Sequence, residues 1–204
     1  MNRTLRKIFI FLSGVFFALY SAYNIMVCFC DRKYLKGYEI IITAAFALAF
    51  AMLAAFSFTA GIKLSDITLM IVRRTALIVG LIGIFALKTR MASHMVQVFE
   101  PTNISAILYC GAYLMTQAAL LLLFFYYSFI VRRLPFFPRA SVIIPLIAFA
   151  LFVFSFIFDA IVFFVFGTVL EASVLRTIVI RPIFYLGFIS LCVYFLLPPE
   201  IPEK

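Results

Sequence analysis

Tryptophan is absent from these 204 residues, histidine occurs once, and only 12% of the chain is charged, about half the share in soluble domains. Each shortage excludes something. One histidine and four cysteines (Cys28, Cys30, Cys110 and Cys192), with neither CxxC nor zinc-finger spacing, do not make a closed metal site, so no metal is expected. No GxxxxGK[ST] run is present to cradle a nucleotide, and no other cofactor motif stands out. Interfacial anchoring falls to the tyrosines. Acidic residues number 8 against 17 Lys and Arg, a formal net charge of +9. These cations punctuate apolar runs and form no patch interleaved with aromatics, so nucleic acid is not an expected partner and the charge is topogenic.

What the chain has is apolar length. Hydrophobic residues make up 67% of it, and the mean hydropathy is +1.21. The expectation is an all-α, multi-pass protein of the cell membrane, a single domain over residues 1–204, with the lipid bilayer as its first partner. A bilayer core of about 30 Å takes about 20 helical residues. By that ruler six transmembrane helices are predicted, over about residues 8–27, 38–60, 75–99, 104–131, 141–166 and 177–197. The first lacks the small-residue cleavage site of a signal peptide and is read as a retained helix.

The third span is awkward. Its clean apolar run, Thr75 to Leu87, is bounded by Arg73-Arg74 on one side and by Lys88 and Arg90 on the other. Extending it backwards carries two arginines towards the bilayer centre at about 2.5–3.5 kcal/mol each, so it is extended forwards. A re-entrant segment over residues 61–100, with five crossings, is the alternative. Pro145 is placed in the first turn of the fifth helix, where its missing N–H costs little, and Pro182 is expected to kink or restart the sixth.

Six crossings put both termini on one side. Arg3, Arg6, Lys7, Lys63, Arg73, Arg74, Arg132, Arg133, Arg139 and Lys204 fall on the N-terminal side, against Arg32, Lys33, Lys36 and Arg176 in the opposite loops. The positive-inside rule then favours N-in, C-in.

Polar groups at membrane depth are the functional pointers, because function or specific packing must offset their insertion cost. Asp159 interrupts the phenylalanine-rich fifth helix, with Ser155 one turn earlier on the same side. In hydrocarbon it must be protonated, paired or wetted, so it is either an interhelical tie or a ligand site. Arg90, His94 and Gln97 share a face of the third helix, with Lys88 on a neighbouring face. Cys110, Tyr113 and Gln117 share one on the fourth, and Ser13, Tyr20, Ser21 and Asn24 form a partly polar stripe on the first. On the N-in topology Asn24, Arg90, His94, Gln97, Gln117, Asp159 and Arg181 all lie in the outer half of the membrane or near its midplane. Five helices contributing at similar depth predict an outward-facing polar pocket, and the surplus of cations suits an anionic or zwitterionic small solute.

Small residues carry a second signal. Gly14, Ala18 and Ala22 recur every four residues on the first helix, and Ala45, Ala49, Ala54 and Ala55 cluster on the second. They serve either packing within the chain or docking of a partner helix. Cys28 and Cys30 are too close to pair with one another, and a disulfide from either to Cys110 is the alternative to four plain apolar cysteines.

In length, helix count and the Gly14/Ala18/Ala22 motif, the chain resembles in outline the substrate-binding S-components of energy-coupling-factor vitamin transporters. The resemblance implies a small-solute binding or transport subunit that relies on partner subunits for ATP hydrolysis. Two alternatives stand beside it: a scaffold, assembly or regulatory subunit that binds another membrane protein, and an intramembrane enzyme built on His94, Glu100 or Cys110.

Overall fold

The computed structural model describes residues 2–30, 37–60, 62, 67–96, 104–130, 140–166 and 179–197. Among these the chain is all-α, with six helices: α1 (Asn2–Cys30), α2 (Gly37–Ala60), α3 (Ile67–Val96), α4 (Ile104–Phe125), α5 (Ala140–Phe166) and α6 (Arg181–Leu196). A π-helical turn, Tyr126–Ile130, continues α4. Five segments, Thr4–Cys30, Gly37–Ala60, Ile67–Thr89, Ile104–Ile130 and Ser141–Val165, are long and apolar enough to cross a membrane. The sixth helix is apolar but shorter, about 24 Å at 1.5 Å per residue.

The third helix departs most from expectation. It begins at Ile67, eight residues before the predicted start, and takes Arg73 and Arg74 into its first two turns. The per-residue insertion cost takes an arginine to face hydrocarbon, which Arg73 does not. Arg73 Nη1 instead donates to the carbonyls of Thr59 (3.0 Å) and Ile62 (3.2 Å), where the end of α2 leaves acceptors that its own ladder does not use. A cation there also meets the negative end of the helix dipole. At its far end the helix is described to Val96, and the predicted stretch 97–99 lies outside the described residues.

Pro145 sits one turn deeper than expected, whereas Pro182 restarts its helix as expected. Pro145 lies in the second turn of α5, since that helix starts at Ala140, and the helix continues past it. Pro182 does not kink α6. It occupies the first turn of α6, where a fixed φ favours helix initiation, and Val179 and Ile180 before it are π-helical, so the helix restarts at the proline; residue 177 lies outside the described residues. Leu197 then turns extended (φ −73°, ψ 130°), as the residue before a proline must, and closes the helix with an N–H bond of 3.1 Å to Val193 O.

Each helix packs on its sequence neighbours and α6 returns to α1, so the six form a closed up-and-down ring whose thinnest seam is α3–α4. We call the end carrying the start of α1 proximal and the other end distal. The α1–α2 hairpin is pinned at three depths by polar contacts two turns apart. Ser13 Oγ meets Ser57 Oγ (3.4 Å), Ser21 Oγ donates to Ala47 O (2.7 Å), and Cys28 Sγ donates to Ile40 O (3.8 Å). All four cysteines are free, so the Cys110 disulfide is set aside.

The core is aromatic and central. Phe50 contacts Phe17 and Tyr20 of α1 and Phe184 and Phe188 of α6, while Phe152 of α5 stacks on Phe188 at 4.9 Å and 10°. Offset and edge-on ring contacts of this kind add to simple burial. Leu53, Leu77, Leu81, Ile84, Leu120, Leu123 and Leu191 complete the fully buried set. Large apolar side chains such as Ile41, Leu48, Leu114, Phe154 and Phe164 point outward. In water that arrangement would be an aggregation surface; in a bilayer, lipid covers it.

Small residues let α2 and α3 approach. A Cβ on Gly80 would stand 2.7 Å from Leu53 Cδ2 and 3.0 Å from Ala49 O, and one on Gly83 would stand 3.3 Å from Ala49 Cβ. The first-helix motif divides. Gly14 lies under the Phe58 ring of α2, with only 2.8 Å available to a Cβ; Ala18 packs on the core; Ala22 is exposed. Its members therefore do not share one outward surface.

Candidate functional site

The polar residues that come together do so at the distal end, between α3, α4, α5 and α6. Asp159 is nearly buried, its side chain 8% exposed, and Arg181 Nη1 donates to its Oδ1 at 2.8 Å. The pairing follows from an antiparallel register between α5 and α6. One turn deeper, Ser155 Oγ lies 3.2 Å from Tyr185 Oη, and below that Phe152 stacks on Phe188. Steps of three to four residues down one helix match equal steps up the other.

Arg181 is less enclosed, with 38% of its side chain exposed and its guanidinium 5.8 Å from the Tyr109 ring of α4. Lys88 enters from α3. Its Nζ stands 4.0 Å from the Phe184 ring of α6, a helix that is not its neighbour in the ring. The lysine therefore reaches into the bundle and does not snorkel outwards. There its charge interacts with both Asp159 and Arg181. Two basic side chains thus lie around one carboxylate, which among the described residues is ion-paired with Arg181 alone. A ring face stabilises an ammonium only partly, by about 0.5–2 kcal/mol.

Beneath the charges lies a hydroxyl network. Ser155 Oγ donates to Ala112 O (2.6 Å) and meets Thr116 Oγ1 (2.7 Å), which also lies 2.9 Å from that carbonyl. Thr116, Ser155 and Tyr185 are all buried, so the network ties three helices with its polar groups bonded. Gln117 is the exception. Its Nε2 donates to Tyr113 Oη (2.8 Å), but its Oε1 is buried with no partner among the described residues.

Of the seven residues singled out in the sequence, Asp159 and Arg181 are joined directly. Gln117 sits on α4, in the turn that carries Thr116. Asn24 stays on α1, where its amide donates to Tyr20 O (2.7 Å) within its own helix, and Tyr20 in turn contacts Phe184 (5.6 Å). Arg90 and His94 lie on the α3 backbone with side chains outside the described residues, and Gln97 lies outside them altogether. Two members of the cluster, Thr116 and Tyr185, were not singled out, while Lys88 was noted in the sequence as one of the surplus cations, on a face neighbouring that of Arg90. Tyr185 was discoverable, because it follows Arg181 by four residues as Ser155 precedes Asp159 by four.

No group of three His, Cys, Asp or Glu side chains among the described residues is placed to hold a metal ion. The fold and the lipid-facing exterior define a polytopic membrane protein. No family model, no curated protein and no solved structure matches the chain.

Proposed function

We propose that the chain is a small-solute binding or transport subunit whose distal polar cluster takes an anionic group. The observation that carries this is the charge imbalance around Asp159. Arg181 pairs with its single carboxylate and retains an open flank, and Lys88 reaches into the same cluster against the Phe184 ring with no ion pair of its own among the described residues. A carboxylate or phosphate on the solute would complete the pairing that Asp159 leaves half made. The chain has no nucleotide-binding motif, so energy would come from partner subunits.

All six helices cross in this proposal. In support, α6 accompanies α1 from Phe184 against Tyr20 to Tyr194 against Arg6, about 21 Å of α1 at 1.5 Å per residue. With the N-terminus inside, the cluster faces out. The exposed Cys30, at the distal end of α1, is a native reporter. In a chain whose other three cysteines are alanine, a membrane-impermeant maleimide added to intact cells is expected to label Cys30. Labelling only after permeabilisation reverses the orientation.

Purification from native membranes in mild detergent, followed by mass spectrometry, tests the function. The expected result is an anionic metabolite bound to the wild type and lost from Lys88→Gln, with the helical content unchanged. A scaffold or regulatory role is favoured by a different observation: Ser13, Ser21, Asn24, Thr116 and Ser155 all have hydrogen-bond partners within the chain. A membrane partner in fixed ratio, with no bound solute, would establish that role and overturn the solute site.

A further inference from the structure

A groove of about 470 Å³ opens at the proximal end, on the outer face of the α1–α2 hairpin and across the molecule's length from the charged cluster. Along α1 its lining runs Thr4, Lys7, Ile8, Phe11 and Leu12, with Phe58 of α2 as the opposite wall. Residues 4, 7, 8 and 11 share one helical face, so the groove is ordered by depth: a hydroxyl and an ammonium at the helix end, then aliphatic and aromatic walls. Phe11 is 58% exposed although it meets Phe58 edge-on at 5.7 Å, so the ring pair forms a shelf and not a closed floor. Ser57, at the deep side, is engaged with Ser13 and makes no demand on an occupant.

The two neighbouring cations are used differently. Arg6 is turned to α6, its guanidinium 4.6 Å from the Tyr194 ring. Lys7 is exposed and has no hydrogen bond or ion pair among the described residues. We propose that the groove binds an anionic phospholipid, its headgroup on Lys7 and Thr4 and the upper part of an acyl chain along Ile8, Phe11 and Phe58. Charge complementarity selects the anionic headgroup, and the order of polar and apolar lining matches the order within a lipid. The site is independent of the solute proposal, since it lies at the other end of the bundle and shares no residue with it.

The absence of tryptophan makes the test direct. Phe11→Trp introduces a single fluorophore at the groove. The protein is reconstituted in vesicles of equal parts phosphatidylglycerol and phosphatidylcholine, with bromine quenchers on the chains of one lipid or the other. Brominated phosphatidylglycerol is expected to quench about fivefold more effectively than brominated phosphatidylcholine, the selectivity of one cation near an anionic headgroup. Adding Lys7→Gln removes the preference and Lys7→Arg keeps it. Leu114→Trp, 64% exposed in the parent chain and on the lipid face of α4, reports no preference in a separate protein. Equal quenching by the two lipids, a preference that survives Lys7→Gln, or no quenching by either because protein covers the groove would each overturn the proposal.

Discussion

Asp159→Ala is expected to destabilise the protein more than Arg181→Ala, and the double substitution to cost less than the two single ones added together. The asymmetry follows from the two-to-one charge count. Removing the carboxylate leaves Arg181 and Lys88 facing each other's field at membrane depth, whereas removing Arg181 leaves Asp159 with Lys88 still in the cluster. Breaking a fully buried pair costs about 3–5 kcal/mol. Arg181 is 38% exposed and can turn towards water, so a loss of about 2 kcal/mol is expected for Asp159→Ala and about half that for Arg181→Ala. Thermal unfolding in detergent, followed by circular dichroism, measures both and closes the double-mutant cycle. Equal single losses would show that Lys88 does not compensate for Arg181, and strict additivity would show that Asp159 and Arg181 are not coupled. The cycle also bears on function: a cluster that survives loss of Arg181 through Lys88 exchanges its counterions readily, as a site for a charged solute must.

Valine at position 80 is expected to prevent assembly of a stable bundle. A β-carbon there meets Leu53 Cδ2 at 2.7 Å and Cγ at 2.9 Å, and Leu53 is fully buried. It also meets the carbonyl oxygen of Ala49 at 3.0 Å, which moves only if α2 itself shifts. Overpacking a tight contact costs about 1–3 kcal/mol for small additions, so Gly80→Ala lies in that range and the branched side chain exceeds it. Gly83→Ala, at 3.3 Å from a side-chain methyl, is expected to be milder, and Gly37→Ala, with nothing within 4 Å, neutral. The fraction of monodisperse protein in size-exclusion chromatography after detergent extraction ranks the series. Any order other than 37, 83, 80 would mean that α2 and α3 are not held at this distance.

The membrane class and the approximate helix positions were legible in the sequence, because the length and spacing of apolar runs are one-dimensional properties. Predicted and observed limits agree within a few residues for α2 and α5, and α4 keeps its predicted extent once its π-helical turn is counted. Two polar positions, Asp159 and Arg181, were identifiable for a related reason: a charge inside an apolar run is conspicuous without knowledge of its neighbours.

What the sequence left open was which neighbours its side chains meet. Arg73 was excluded from α3 because a per-residue insertion cost assumes lipid on all sides, and only the fold brings the carbonyls at the end of α2 within 3.2 Å. The Gly14/Ala18/Ala22 motif allowed packing within the chain or docking of a partner helix, and only the rotation of α1 about its axis turns Gly14 to Phe58 and Ala18 to the core while leaving Ala22 exposed. The sequence by itself determined that this protein spans a membrane and carries charges at membrane depth, since hydrophobic length and charge position are fixed along the chain. Only the tertiary structure decided that Asp159 meets Arg181 and Lys88, because such meetings depend on the azimuth and register of helices packed against one another. Those are set by the Phe50–Phe184–Phe188 core and the small residues between helices, contacts across the bundle that no single helix's periodicity encodes.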